Sequence, residues 1–268
     1  MSAERVTVAT VRAKKAAGER LVVVTATDYS FARILDEAGV DIVLVGDSLG
    51  IVALGLDSTL PVTMDEMVVF TRAVARGTRR ALLVADMPFL SYQVSAEEAR
   101  RNAGRFLKDA GAAAVKLEGG VEVAATVASI VAMGVPVMGH LGLTPQSVHA
   151  MGGYKVQGRD EERAREILDG ARALEDAGVF AIVLEGMPRE LAARVTAAVG
   201  VPTIGIGAGA VCGGQVLVLH DLLGLWGGHR PKFVKRYAAV GDEAGRAVRQ
   251  FCDEVRGGLF PDEEHSYD

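Results

Sequence analysis

Asp41-Ile42-Val43-Leu44-Val45-Gly46-Asp47-Ser48 is a short apolar run that stops on a glycine, an acid and a hydroxyl. A run of this length without polar interruption reads as a strand buried on both faces, as in a parallel sheet. Its C-terminal end hands Asp47 and Ser48 to a site. The device recurs along the chain: 81–85 end on Asp86, 112–115 run into Lys116, Leu117 and Glu118, 136–139 end on His140, and 181–184 end on Glu185. Five successive apolar runs thus finish in polar, mostly ionisable residues.

Outward from these, the runs 21–26, 201–207 and 215–219 raise the strand count to eight. Helical spacing and glycine stops place helices at 30–38, 64–76, 95–110, 121–133, 160–177 and 188–199, with 7–18 opening the chain and 242–256 near its end. Strand and helix are read as alternating eight times, and no linker or shift of composition divides the chain. The expected fold is a single domain over 1–268, a (β/α)8 TIM barrel with an N-terminal helix and a C-terminal helical extension. A doubly wound open sheet is the competing arrangement, and eight evenly spaced strands with right-handed crossovers favour closure. In such a barrel, polar residues at the strand C-termini read as active site. The helix at 121–133 is almost wholly apolar, so it is expected to be buried or covered by a partner. The polar end, 261–268, is expected to fray.

Half of the 268 residues are apolar, ample for a large core, and the net charge of −5 lacks the basic excess of a nucleic-acid surface. Cys212 and Cys252 form neither a disulfide framework nor a metal-ligand spacing, which suits a reducing, cytoplasmic location. No apolar run approaches the roughly 18 residues of a membrane span, and no signal-peptide core is seen at the N-terminus.

Asp47 and Asp86 end adjacent strands, so their carboxylates should meet at the barrel mouth, where two acids repel unless a cation or a shared proton separates them. Oxygen ligands alone point to Mg²⁺. The plainer alternative is that each acid caps the following helix. Lys116 and Glu118, two apart on a strand, point to the same side. Lys116 could meet a substrate carboxylate, form a structural pair with Glu118, or act as a Schiff-base amine, although nearby acids would keep it protonated. Glu185, across the barrel, is placed to act as a general base or to cap a helix. His140 is either a substrate contact or a core histidine bonded to backbone. The glycines of 204–209 form G-x-G-x-G without a complete βαβ unit after them, so they are an anion-binding loop or a close backbone approach, not a dinucleotide fingerprint.

Taken together, VGDS at 45–48, ADMPF at 85–89, VKLEGG at 115–120, GHLGLTPQS at 139–147, VLE at 183–185, IGIGAG at 204–209, QVLVLHD at 215–221 and PKFVKRY at 231–237 closely resemble the ketopantoate hydroxymethyltransferase family. That family belongs to the phosphoenolpyruvate mutase and isocitrate lyase superfamily, and the lyases' cysteine loop is absent here. The resemblance implies transfer of a hydroxymethyl group from 5,10-methylenetetrahydrofolate to 3-methyl-2-oxobutanoate, giving 2-dehydropantoate on the way to pantothenate, through a Mg-stabilised enolate. It implies Asp47, Asp86 and Glu118 as the Mg²⁺ site, and Ser48 and Lys116 as holders of the substrate carboxylate. Glu185 becomes the proton acceptor, His140 a contact to the new hydroxyl or the folate, and the assembly a homodecamer. Another Mg²⁺-dependent 2-oxo acid enzyme of the superfamily and a non-catalytic barrel are the rival readings. One departure stands out: Gly213 occupies the position where the family usually has Asp, which bears on the loop after IGIGAG and on folate affinity.

Overall fold

The computed structural model describes residues 4–225, 227–228 and 230–267. Helix α1 (Val8–Ala16) precedes β1 (Leu21–Thr25), α2 (Tyr29–Ala38), β2 (Ile42–Val45), a short α3 (Leu49–Val52), α4 (Met64–Gly77), β3 (Leu82–Asp86), α5 (Ala96–Lys108) and β4 (Ala114–Glu118). Then come α6 (Ala124–Ala132), β5 (Val137–Gly142), α7 (Glu161–Asp176), β6 (Ala181–Glu185), α8 (Arg189–Ala198), β7 (Thr203–Ile206), β8 (Gly214–Leu217), α9 (Leu219–Leu223) and α10 (Val240–Arg256). All eight strands pair in parallel with their sequence neighbours, and β8 pairs back to β1, closing the barrel.

Closure follows from strands that are apolar on both faces. Val23, Ile42, Leu44, Leu82, Val84, Ala114, Met138, Val183, Ile204 and Val216 belong to one buried cluster. Because side chains alternate along a strand, these positions set the inward phase. Two steps of two from Ala114 reach Lys116 and Glu118; one step from Val84, Met138 and Val183 reaches Asp86, His140 and Glu185. The ionisable residues thus form the topmost inward layer of the barrel. Val6 and Val11 join the same cluster at the other end, where α1 acts as the plug. Complete burial of Val11 contributes on the order of 1.5–3 kcal/mol. Lys14 reaches Asp41 at 2.7 Å, and Lys15 donates to the carbonyls of Val199 and Val201 at 2.7 and 2.6 Å.

Several expectations need correction. Strand and helix do not alternate eight times: β7 and β8 are joined by 207–213 without a helix, and Gly207 and Gly209 turn the chain at φ of 63° and 83°. A Cβ on Gly209 would lie 2.8 Å from Arg189 Cβ, so this glycine serves close packing on the start of α8. The apolar helix at 121–133 opens as a 3-10 turn, and only Val127 and Ile130 in it are buried. Leu49–Val52 form the short α3 directly after Ser48. The polar end holds a turn, with Asp262 accepting from the His265 amide at 3.0 Å; Asp268 lies outside the described residues. By its contacts the chain groups into two compact units, Met1–Val218, which holds the barrel, and Leu219–Asp268. A single domain over 1–268 stays a proposal beside that division.

Gly77, at the end of α4, lets that helix approach α2 closely, since a Cβ there would meet Tyr29 O at 2.6 Å and Ala32 Cβ at 2.9 Å. Both contacts are to groups that cannot swing away. Gly77→Ala is therefore expected to destabilise the protein by about 1–3 kcal/mol in urea unfolding. A loss below about 0.5 kcal/mol would show that the helices can separate freely.

Candidate active site

The ionisable layer is one connected network. Lys116 Nζ lies 2.9 Å from Asp86 Oδ1 and 3.2 Å from His140 Nδ1. His140 then touches two acids, Glu118 Oε1 at 3.4 Å through Nδ1 and Glu185 Oε2 at 3.1 Å through Nε2. Asp86 Oδ2 accepts from the backbone amide of Asp47 at 3.0 Å. Asp47 itself follows the strand end, where the chain turns into α3. Gly46 keeps the inward position beneath it clear, since a Cβ there would lie 3.5 Å from Asp86 Oδ2 and 3.0 Å from Ser48 Oγ. Asp47, Asp86, Lys116, Glu118 and His140 are buried, whereas Ser48 and Glu185 are half-buried.

The structure thereby brings together every residue singled out from the sequence and selects among the alternatives. Lys116 takes Asp86, not Glu118, as its ion-pair partner. His140 is bonded to charged side chains. Glu185 stands on β6, four strands from the β2 end that carries Asp47.

Charge accounts for the titration behaviour. Burial pushes Asp47 up to about 8, aided by the negative charge of Asp86 and Glu118 and opposed by Lys116 and Gln146. Burial likewise raises Asp86, against the pull of Lys116. Lys116 is lowered by burial but held well above its ordinary value by Asp86, Glu118 and Asp47, so it is a fixed cation and no Schiff-base nucleophile. For His140, burial and Lys116 push downward, and the carboxylates of Glu118 and Glu185 outweigh them and carry it up to about 9. Nδ1 lies between Lys116 Nζ and Glu118 Oε1, and Nε2 faces Glu185 Oε2.

A metal fits this site by its chemistry. Among the described residues no three side chains already converge as ligands. Asp47, Asp86 and Glu118 nevertheless offer only carboxylate oxygens, the donors of a hard divalent cation such as Mg²⁺. Lys116 faces Asp86, and three acids, Asp47, Asp86 and Glu118, stand around that one ammonium.

Two further residues complete the network without having been singled out. Gln146, in the 3-10 turn Pro145–Ser147, donates its side chain to Asp47 Oδ2 at 2.9 Å and its amide to Glu118 Oε2 at 3.0 Å. Tyr92 arrives through a tight turn in which Ser91 N donates to Pro88 O at 3.0 Å and Leu90 adopts φ 65°. Both are loop residues outside any periodic pattern. Gln146 does lie inside the GHLGLTPQS stretch, which was the one signal available for it.

A family model described as ketopantoate hydroxymethyltransferase matches residues 5–263. The chain belongs to the ketopantoate hydroxymethyltransferase family. Within it, a 3-methyl-2-oxobutanoate hydroxymethyltransferase of Geobacter metallireducens is 57% identical over 261 residues, covering 97% of this chain and 98% of the relative. One of Carboxydothermus hydrogenoformans is 56% identical over 264 residues, covering 98% and 96%. Among solved structures, phosphonopyruvate hydrolase in complex with oxalate and Mg²⁺ superposes with a TM-score of 0.63 at 15% identity, covering 96% of this chain and 92% of that one. A 2,3-dimethylmalate lyase of the PEP mutase/isocitrate lyase superfamily does so at 0.60 and 16%, covering 97% and 91%. These distant likenesses show the fold alone, a (β/α)8 barrel.

The ketopantoate hydroxymethyltransferase family pattern also locates the departure at Gly213. Leu21 N donates to Gly213 O at 2.9 Å, which puts Gly213 beside the start of β1, at the end of the barrel opposite the ionisable layer. A Cβ there would meet only Thr203 backbone, at 3.4 Å and beyond. Gly213 thus ends the loop that follows IGIGAG, at the closed end of the barrel.

In the metal-free protein the pH dependence of stability has a definite sign. Asp47 rises from 3.8 to about 8 and His140 from 6.5 to about 9, so between these values the folded state holds more protons than the unfolded chain. Their stabilisation is complete below the lower values and is lost as pH rises through the upper ones. In EDTA, Tm should fall between pH 6.5 and 9, and Mg²⁺ should raise Tm more at pH 8.5 than at pH 6. An Mg²⁺ increment independent of pH would contradict a cation at these acids.

Proposed function

We propose that this chain transfers a hydroxymethyl group from 5,10-methylenetetrahydrofolate to 3-methyl-2-oxobutanoate, giving 2-dehydropantoate and tetrahydrofolate. The family supports the reaction, and one feature of the geometry carries it. Glu185 stands half-buried on the far side of His140 from the Lys116–Asp86 pair, so an acid and a fixed cation lie at one end of the barrel on either side of one imidazole.

Asp47, Asp86 and Glu118 would hold Mg²⁺. When bound, it supplies a Lewis acid to the ketone and carboxylate oxygens of the 2-oxo acid and lowers the cost of charge on the ketone oxygen. Lys116 and Ser48 bind the substrate carboxylate, and the permanent charge of Lys116 orients the acid with C3 toward Glu185. Glu185 takes the C3 proton. His140, with Nε2 3.1 Å from Glu185 Oε2, places an imidazole beside the base. The C3 carbanion equivalent then attacks the folate methylene carbon, water releases tetrahydrofolate, and His140 is within the site to contact the new hydroxyl or the folate. Among the described residues no helix is long and apolar enough to cross a membrane. A homodecamer in the cytoplasm completes the proposal, with Val121 and Met133 on the apolar helix exposed, as a surface awaiting another copy would be.

Proton NMR of 3-methyl-2-oxobutanoate in D₂O with protein and Mg²⁺ should show loss of the C3 proton signal, with product signals once methylenetetrahydrofolate is added. Glu185→Gln should slow the exchange by about 10²–10⁴-fold. Folded, Mg²⁺-bound protein that exchanges nothing would leave a non-catalytic barrel.

A further inference from the structure

We propose that Gln146 and Tyr92 are positioning residues that hold Asp47 and Glu118 as a matched pair of cation ligands, an inference that rests on the function proposed above. The Gln146 amide is fully engaged: Nε2 donates to Met87 O at 2.9 Å and to Asp47 Oδ2 at 2.9 Å. Its Oε1 accepts from Tyr92 Oη at 2.8 Å and Gln93 Nε2 at 3.3 Å. The orientation of the amide is forced, because the Met87 carbonyl can only accept. A flipped amide would set two oxygens together there and two NH₂ groups together at Gln93.

Tyr92 closes the ring. Its oxygen accepts from the Glu118 amide at 3.2 Å, and its own proton faces Gln146 Oε1 at 2.8 Å and Glu118 O at 3.1 Å. The Gln146 main-chain amide donates to Glu118 Oε2, and hence one residue fixes one oxygen on each acid, by side chain on Asp47 and by main chain on Glu118.

The neutrality of these donors matters. An Arg or Lys in place of Gln146 would supply the positive charge that the acids otherwise take from a cation, and an acid would add repulsion. An amide orients both carboxylates and leaves their charge unspent. Gln146 and Tyr92 are themselves 6% and 2% exposed, so water cannot replace them when they are lost.

The test uses Mn²⁺ as the probe, counted by EPR on the full-length protein, with Tm measured in EDTA. Gln146→Met keeps the length and the main-chain donor; Tyr92→Phe keeps the ring. Gln146→Met should weaken Mn²⁺ binding about 10–100-fold, the usual effect of losing an outer partner of a ligand, and Tyr92→Phe should weaken it in the same direction by less. The metal concentration giving half-maximal C3 exchange should move in parallel, with kcat largely recovered at saturating Mn²⁺. A role in stability alone would lower Tm and leave the Mn²⁺ affinity of the folded protein unchanged, and that result overturns the proposal. Should Gln146→Met fail to fold, an unchanged affinity in Tyr92→Phe overturns it alone. Wild-type protein that binds no Mn²⁺ and exchanges no proton would sink the functional reading instead.

Discussion

A buried lysine facing Asp86 at 2.9 Å is the interaction around which the open end of the barrel is arranged. An ammonium taken wholly out of water costs several kcal/mol, which only close, well-oriented opposite charge can offset. Asp86 supplies it on the neighbouring strand, and Asp47 and Glu118 add to it. Removing either partner would leave an uncompensated charge and cost about 3–5 kcal/mol. The pair is thus expensive as a stabilising device and makes sense as a preorganised charge for an anionic ligand.

The rest of the network follows from that commitment. With Lys116 turned to Asp86, the remaining acids take other partners. Glu185 and Glu118 share His140, whereas Asp47 is left to a neutral amide and rises to about 8. Asp47, Asp86 and Glu118 therefore gather around Lys116, and Glu185 meets that cluster through His140.

Barrel closure gives this arrangement its rigidity. Every site residue except Asp47, Ser48, Tyr92 and Gln146 sits on a strand whose inward phase is set by apolar residues two or, for Glu118, four positions below it. Rotating Lys116 out of the mouth would also rotate Ala114 out of the core. The loop residues lack that enforcement and depend on explicit hydrogen bonds instead, such as Asn102 Nδ2 on Ser91 O at 2.8 Å beside Tyr92.

The strands, their order of polar endings and the inward phase of Asp86, Lys116, Glu118, His140 and Glu185 were legible in the amino-acid sequence, because a period of two and an apolar run are local properties. So was the family, through motifs spread over nearly the whole chain. Several things were not legible. The absent helix between β7 and β8 and the half-exposed surface of 121–133 depend on what packs across the chain, which local pattern does not encode. The choice of Asp86 over Glu118 by Lys116 depends on register between β3 and β4. The place of Gly213 at the closed end depends on the pairing of β8 with β1. Gln146 and Tyr92 joined the site only in the folded chain, since loop residues gain a direction from the tertiary contacts that hold them and from nothing in their own spacing.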